Sequence, residues 1–100
     1  MNVDRIFDAL ASPVRRGMLR ELAQGERTTT ELAALGALSA PAASRHLSVL
    51  ENAGLAASRR EGQRVLYALV RDTLMEALTG FAAECGREAA APPRRQREAI

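Results

Sequence analysis

Residues 38–55 read LSAPAASRHLSVLENAGL, and their pattern is the clearest indication of the fold. Ser39 is a residue type that caps helix N-termini, so a helix is predicted to begin just after it. Apolar residues then recur at i, i+4 and i+7 from Ala43 to Leu50, which is the spacing of one buried helix face. The opposite side of this helix keeps small polar residues and Arg45.

The pattern changes to two short extended runs downstream of this helix, at residues 55–60 and 64–69. They flank Glu61-Gly62, a turn dipeptide whose glycine tolerates a positive φ angle. The sequence therefore predicts a β-hairpin with a basic tip.

Further helices are predicted on both sides of this pair of elements. Upstream, one helix precedes Ser12-Pro13, which is typical of a helix start, and Thr28 with Glu31 forms a capping box for another. A final helix opens near Asp72. The predicted fold is mainly α with a small β-hairpin, about five helices plus two strands. Residues 1–86 are expected to form one domain, and residues 87–100 are expected to form a disordered tail without an apolar face.

The composition predicts a core that is small for a free monomer. Of the 47 hydrophobic residues in this 100-residue chain, 20 are Ala, and there is no Trp. Small domains bury a low fraction of their surface, so a second copy of the chain is expected to cover the remaining apolar stripes. The predicted homodimer interface lies on the first and last helices and comprises Ile6, Phe7, Leu10, Leu74, Leu78, Phe81 and Cys85.

Charge and cysteine usage exclude several classes of protein. All 14 basic residues are Arg, the residue best suited to forked contacts with phosphate and guanine, and the formal net charge is +2. One Cys excludes an intrachain disulfide and a multi-cysteine zinc site. No secretory signal and no apolar run of about 20 residues is visible, so a cytoplasmic protein without membrane contact is expected.

Three segments carry a resemblance to a known family: ALASPVRR at residues 9–16, LSAPAASRHL at residues 38–47 and RREGQRVLY at residues 59–67. They are similar, in order and spacing, to the ArsR/SmtB-type winged helix-turn-helix transcriptional repressors. The match covers roughly residues 5–85. It implies a homodimeric repressor that binds a pseudo-palindromic operator in double-stranded DNA, with the hairpin as the wing.

One departure from the family pattern lies just before the helix that begins after Ser39. The family usually has Leu-Gly-Leu-Ser there, whereas this chain has LGALS at residues 35–39. The buried leucine is therefore expected one place earlier, with a local change in packing between the two helices.

The DNA-binding surface is expected on the recognition helix and the wing. Ser44 and Arg45 can bond to base edges, and arginines at the hairpin can grip phosphate. An ordinary solvated helix and a charge-protected edge hairpin are the alternatives. The predicted DNA-binding residues are Ser39, Ala40, Ala42, Ser44, Arg45, His46, Ser48, Arg59, Arg60 and Arg64.

Two residues, His46 and Cys85, each have two possible roles. His46 is interpreted as a contact to phosphate or a base, with packing beside Leu47 as the alternative. Cys85 shares a helix face with Phe81, which predicts a buried small hydrophobe. A redox-sensitive bridge between two copies of Cys85 is a minority hypothesis.

Other functions are disfavoured by missing residues. The family's metal sensors use cysteines in the third helix or Asp, His and Glu pairs on the last helix, and neither set is present. No metal and no cofactor is therefore expected, and the inducing effector is left open.

No nucleophile–base pair or phosphate-binding glycine loop suggests an enzyme. The alternative function is a winged-helix protein-interaction module with weak or no specific DNA binding.

Overall fold

A computed structural model of the chain describes residues 2–88. Within this range it has five helices and one antiparallel sheet of three strands, arranged as a winged helix-turn-helix. The elements in chain order are α1 (Val3–Leu10), α2 (Pro13–Leu22), β1 (Arg27–Thr28), α3 (Thr29–Leu35), α4 (Ala40–Asn52), β2 (Ala56–Glu61), β3 (Arg64–Leu69) and α5 (Arg71–Glu88).

The three predicted helix starts are confirmed at atomic detail. The Ser12 hydroxyl accepts from the Arg15 backbone N–H at 3.2 Å, and the Ser39 hydroxyl accepts from the Ala42 N–H at 3.2 Å. Thr28 and Glu31 exchange bonds of 2.8 and 3.1 Å in a complete capping box. Each cap satisfies a backbone donor that the first helical turn leaves unpaired.

The hairpin is confirmed, with one strand more than predicted. β2 and β3 pair from Ala56 opposite Leu69 to Glu61 opposite Arg64. The loop residue Gly62 has φ 62°, a conformation that costs glycine little because it has no Cβ. The additional strand, β1, pairs with the other edge of β3. A two-residue strand has no alternating pattern, so the sequence did not show it.

The core lies between the helices and the inner side of the sheet. Its largest fully buried side chains are Ile6, Leu32, Leu47, Leu50 and Leu55. α4 contributes Ala43, Leu47 and Leu50, as the i, i+4, i+7 spacing predicted. For Ile6 the structure corrects the sequence prediction: this side chain is 0% exposed within one chain, so it has no surface for a partner to cover.

The turn between α3 and α4 keeps the family's leucine in place. Leu38, directly before the cap residue, packs against the core, whereas Leu35 is 59% exposed. The prediction that the buried leucine lies one place earlier is therefore wrong. Ala37, which precedes Leu38 in this turn, has φ 54°. This left-handed conformation is costly for a residue with a Cβ.

The last helix continues two residues beyond the predicted boundary at residue 86, because α5 ends at Glu88. The predicted disorder of the tail concerns residues 89–100, which lie outside the described residues. None of the described helices is long and apolar enough to cross a membrane.

Candidate nucleic-acid interface

The recognition helix α4 presents a small, polar and basic face away from the core. Ser44, Arg45 and Ser48 are exposed, while Ala43 and Leu47 are completely buried. Arg45 makes no ion pair with the side chains described for residues 2–86. Its guanidinium is therefore available to an external acceptor such as guanine or phosphate.

The start of α4 lets another molecule approach the helix backbone closely. Ala40 is exposed and Ala42 is half-buried, so no large side chain covers the first turn. The Ser39 oxygen is already used as the helix cap. Its own O–H remains able to donate, because a hydroxyl that accepts one bond keeps its hydrogen. The first turn offers few backbone donors to a phosphate, because Pro41 has no N–H and the N–H groups of Ala42 and Ala43 are bonded to Ser39.

The three predicted wing arginines differ in their partners. Arg59 forms a forked pair with Glu26, at 2.8 and 3.1 Å, and also reaches Glu61 at 3.3 Å. Arg64 bonds to the other carboxylate oxygen of Glu61 at 2.5 Å. Arg60 is exposed and makes no ion pair within the described part of the chain. Only Arg60 is thus free to bind phosphate without giving up a carboxylate.

These pairs change the acid–base properties of the wing. The hydrogen bond from Arg59 holds the pKa of Glu26 below its ordinary value, and the bonds from Arg64 and Arg59 do the same for Glu61. The two glutamates in turn raise the pKa of Arg59. Both carboxylates are solvent-exposed, so water and salt screen the pairs and limit their effect on stability. They nevertheless neutralise most of the positive charge at the hairpin.

Two contacts fix the wing relative to the rest of the domain. The Ser58 hydroxyl on β2 donates to the Glu51 carboxylate on α4 at 2.8 Å. The Arg59–Glu26 pair ties the same strand to the segment that precedes β1. Tyr67 on β3 is half-buried, and this burial raises its pKa, with a further contribution from the charge of Glu51. The wing is therefore joined to the recognition helix by one polar contact, Ser58 to Glu51, and to the segment before β1 by the Arg59–Glu26 pair.

His46 is half-buried, and its ring contacts a residue that the sequence did not single out. The Arg15 Nη1 lies 3.2 Å from His46 Nδ1. The same guanidinium donates to the carbonyls of Ala9 at 2.8 Å and Asp8 at 3.2 Å. The ring therefore packs within the domain, as the alternative interpretation expected, and its contact with phosphate or a base remains a prediction.

A second surface, formed by α1 and α5, is apolar. The Phe7 and Phe81 rings meet edge to face at a centroid distance of 5.5 Å, which is a favourable aromatic geometry. Phe81 is still 52% exposed, and Leu78 is 42% exposed. The predicted interface residues Leu10 and Leu74 are half-buried against the core. Sequence reasoning missed two more exposed apolar side chains on these helices, Val3 and Met75.

Cys85 corrects another expectation. It was predicted to be a buried small hydrophobe, but in the single chain it is exposed. The helical register was right, because Cys85 follows Phe81 by four residues. However, α1 covers only part of α5, and the stripe continues beyond the domain core.

Comparison with known proteins places this geometry in a family. The model of the family described as "Bacterial regulatory protein, arsR family" matches residues 12–58, from the cap of α2 into β2. The chain is also 30% identical over 76 residues to the transcriptional repressor SdpR of Bacillus subtilis, covering 76% of this chain and 84% of that protein. The chain belongs to the ArsR family.

Two further proteins show how far the likeness to ArsR-family members extends. A probable mercury resistance operon repressor of Streptomyces lividans is 38% identical over 65 residues, or 65% of this chain. The chain spans about half of that protein's length, 52%. The homodimeric winged helix-turn-helix DNA-binding domain of a possible ArsR-family regulator from Mycobacterium bovis superposes with a TM-score of 0.70 at 34% identity. That match covers 90% of this chain and 85% of the other.

This ArsR-family chain brings together no metal-binding cluster in the residues that the structure describes. Residues 2–88 contain no group of three or more His, Cys, Asp or Glu side chains placed to hold an ion. Cys85 is on α5 and His46 on α4. The expectation that no metal is sensed remains a prediction.

Several arginines of this ArsR-family domain serve its own backbone rather than a ligand. Arg16 donates to the Leu10 carbonyl at 2.8 Å, and Arg71 donates to the Ala23 carbonyl at 2.7 Å. Both acceptors lie at helix C-termini, where carbonyls lack partners within the helix. No local motif marks these roles, because donor and acceptor come from different elements.

Proposed function

We propose that this protein is a homodimeric transcriptional repressor that recognises a specific double-stranded DNA sequence. It has no enzymatic activity in this proposal, and it acts in the cytoplasm, where bacterial DNA is accessible. The observation that carries the proposal is the exposed face of α4. Ser44 and the unpaired Arg45 stand on a helix whose first turn is covered only by small side chains.

The chemistry of this face fits the major groove. A serine hydroxyl can donate to or accept from base edges, and an arginine can make a forked contact with guanine. Arg60 on the wing adds a contact to the sugar–phosphate backbone, which increases affinity without reading the sequence. His46 and Ser48 lie on the same helix and extend the proposed contact surface, together with Ser39, Ala40 and Ala42 at its start.

The proposed dimer uses the apolar surface of α1 and α5. Phe81 and Leu78 are large apolar side chains that remain exposed in the single chain, and Phe7 lies beside Phe81. Val3 and Met75 extend this surface, while Leu10, Leu74 and Cys85 border it. A second copy, related by a two-fold axis, would cover it and present two recognition helices to two half-sites.

Binding experiments with two DNAs test the proposal. The operator is first obtained by selecting from a random duplex library, and affinity is then measured for the selected duplex and a scrambled duplex at several salt concentrations. We expect tighter binding to the selected duplex and a steep loss of affinity as salt rises, because bound arginines release counterions from phosphate. A library that yields no preferred sequence, with weak binding to every duplex, would favour the protein-interaction module.

Sedimentation velocity at micromolar concentration tests the dimer separately. We expect about twice the monomer mass of 10.8 kDa. Phe81→Glu places a charge on the apolar surface and is expected to produce monomers that bind the operator much more weakly. Glu84→Gln, at an exposed position of the same helix, is the control and should remain dimeric.

A further inference from the structure

Arg15 joins three elements through one side chain. It projects from α2, donates from Nε and Nη2 to two carbonyls in the last turn of α1, and directs Nη1 to His46 on α4. Ala9, which supplies the shortest of these bonds at 2.8 Å, is completely buried. The two backbone acceptors hold the planar guanidinium in place, so the direction of its third donor is fixed.

The chemistry of this contact determines where the imidazole carries its hydrogen. A guanidinium is always protonated and has only donors. Its partner His46 Nδ1 must therefore accept, which requires a lone pair on Nδ1. In a neutral imidazole with an unprotonated Nδ1, the hydrogen is on Nε2. Arg15 thereby selects one tautomer of a ring on the recognition helix.

We infer that Arg15 is a positioning residue for DNA recognition, and that it holds His46 as a single hydrogen-bond donor, Nε2–H, to an acceptor on DNA. The inference rests on the proposed function and extends it to a residue that does not itself contact DNA. The acceptor is an oxygen or nitrogen of DNA, either on a base edge or on a phosphate. With the other tautomer, the ring would present a lone pair at Nε2, which acceptors on DNA repel.

The tautomer can be measured without DNA. His46 is the only histidine in the chain, so its ring nitrogens give unambiguous NMR signals. We expect a protonated Nε2 and an unprotonated Nδ1 at about pH 8, because Nδ1 accepts from Arg15. Arg15→Met keeps the aliphatic length but removes every donor, and it should give a mixture of tautomers. Identical nitrogen signals in the wild-type protein and the variant would overturn the inference.

Arg16→Met is the matched control for this substitution. Arg16 also projects from α2 and also donates to a carbonyl at the end of α1, but it does not contact His46. If Arg15 only stabilised α1, both variants would lower thermal stability and leave the tautomer unchanged. The inference instead requires that Arg15→Met alters the ring signals and Arg16→Met does not.

DNA binding provides the second measurement. His46→Asn keeps an acceptor near the position of Nδ1 but has no group at the position of Nε2. We expect His46→Asn to weaken binding about three- to tenfold, the size of one lost hydrogen bond, and Arg15→Met to weaken it by less. A loss confined to the selected duplex indicates a base acceptor, and an equal loss on scrambled DNA indicates phosphate.

Unchanged affinity of His46→Asn for both duplexes would overturn the role of His46 as a donor. Absence of specific binding by the wild-type protein would instead contradict the proposed function, and the tautomer measurement would still stand. If Arg15→Met does not fold, His46→Asn still tests the donor role of His46, because it retains an acceptor for Arg15 and removes only the group at Nε2.

Discussion

The recognition helix and the wing differ in whether their arginines are paired with carboxylates. Arg45 on α4 has no acidic partner within the described residues, whereas Arg59 and Arg64 on the hairpin are bonded to Glu26 and Glu61. The three wing arginines and these two glutamates leave one net positive charge. A count of basic residues therefore overstates the wing's attraction for phosphate, and the helix is expected to contribute more to recognition per arginine.

The largest expected effect concerns the helix side of this comparison. Arg45→Ala should weaken binding to the selected duplex by about 1–3 kcal/mol if a forked base contact is lost, and binding to scrambled DNA by much less. Ser44→Ala should act in the same direction. Fluorescence anisotropy with both duplexes measures the difference.

Arg20→Ala is the control for Arg45→Ala, because it removes an exposed arginine from α2 outside the proposed surface. Equal losses for Arg45→Ala on both duplexes would mean that Arg45 contacts phosphate and not a base.

The next effect concerns stability at the turn that precedes the recognition helix. The left-handed φ at Ala37 costs a residue with a Cβ about 1–2 kcal/mol, which glycine avoids. Glycine also makes the unfolded chain more flexible, which lowers the free energy of unfolding by about 0.4–1 kcal/mol. Ala37→Gly should therefore raise the free energy of unfolding by about 0.5–1 kcal/mol. Urea denaturation monitored by circular dichroism measures this change.

Ala34→Gly, at an exposed helical position of α3, is the matched control and should be destabilising because its backbone is helical. If both substitutions destabilised the protein, the turn would not be strained at Ala37.

A smaller effect distinguishes the wing arginines from one another. Arg60→Ala should weaken binding to both duplexes similarly and reduce the slope of log affinity against log salt by about one, as for one lost phosphate contact. Arg64→Ala should change the slope less, because Glu61 already compensates the charge of Arg64. Salt titrations of the two variants side by side make the comparison. Equal slopes would show that DNA displaces Glu61 from Arg64.

The smallest effect is expected when Arg59 is released from its forked pair with Glu26. Glu26→Gln removes the carboxylate, so we expect a gain in affinity for any duplex on the order of twofold, with a slightly steeper salt dependence. Glu76→Gln, which removes an equal charge from an exposed position on α5, controls for the change in net charge. A loss of affinity in Glu26→Gln would mean that the pair is needed to orient the wing.

Local patterns were sufficient wherever structure depends on neighbours in sequence. Caps at Ser12, Thr28 and Ser39 and the spacing from Ala43 to Leu50 gave the helix starts and the buried face of α4, because hydrogen bonds at a helix end and helical periodicity both act over three to four residues. The Glu61-Gly62 turn dipeptide likewise predicted the hairpin, because a tight turn is set by residues adjacent in sequence.

The order of the helices and the hairpin, the family resemblance and the outward face of α4 could thus be predicted from the sequence, whereas β1 could not. Which side chains are available for binding is visible only in the folded domain, because it depends on partners distant along the chain. Arg59 is bonded to Glu26, 33 positions away, and Arg15 to His46, 31 positions away. Ile6 on α1 is buried and Cys85 on α5 exposed for a similar reason: other elements of the domain cover α1 at Ile6, whereas they leave α5 uncovered at Cys85. Periodicity shows that residues share a face, but the packing of other elements sets how much of that face is covered.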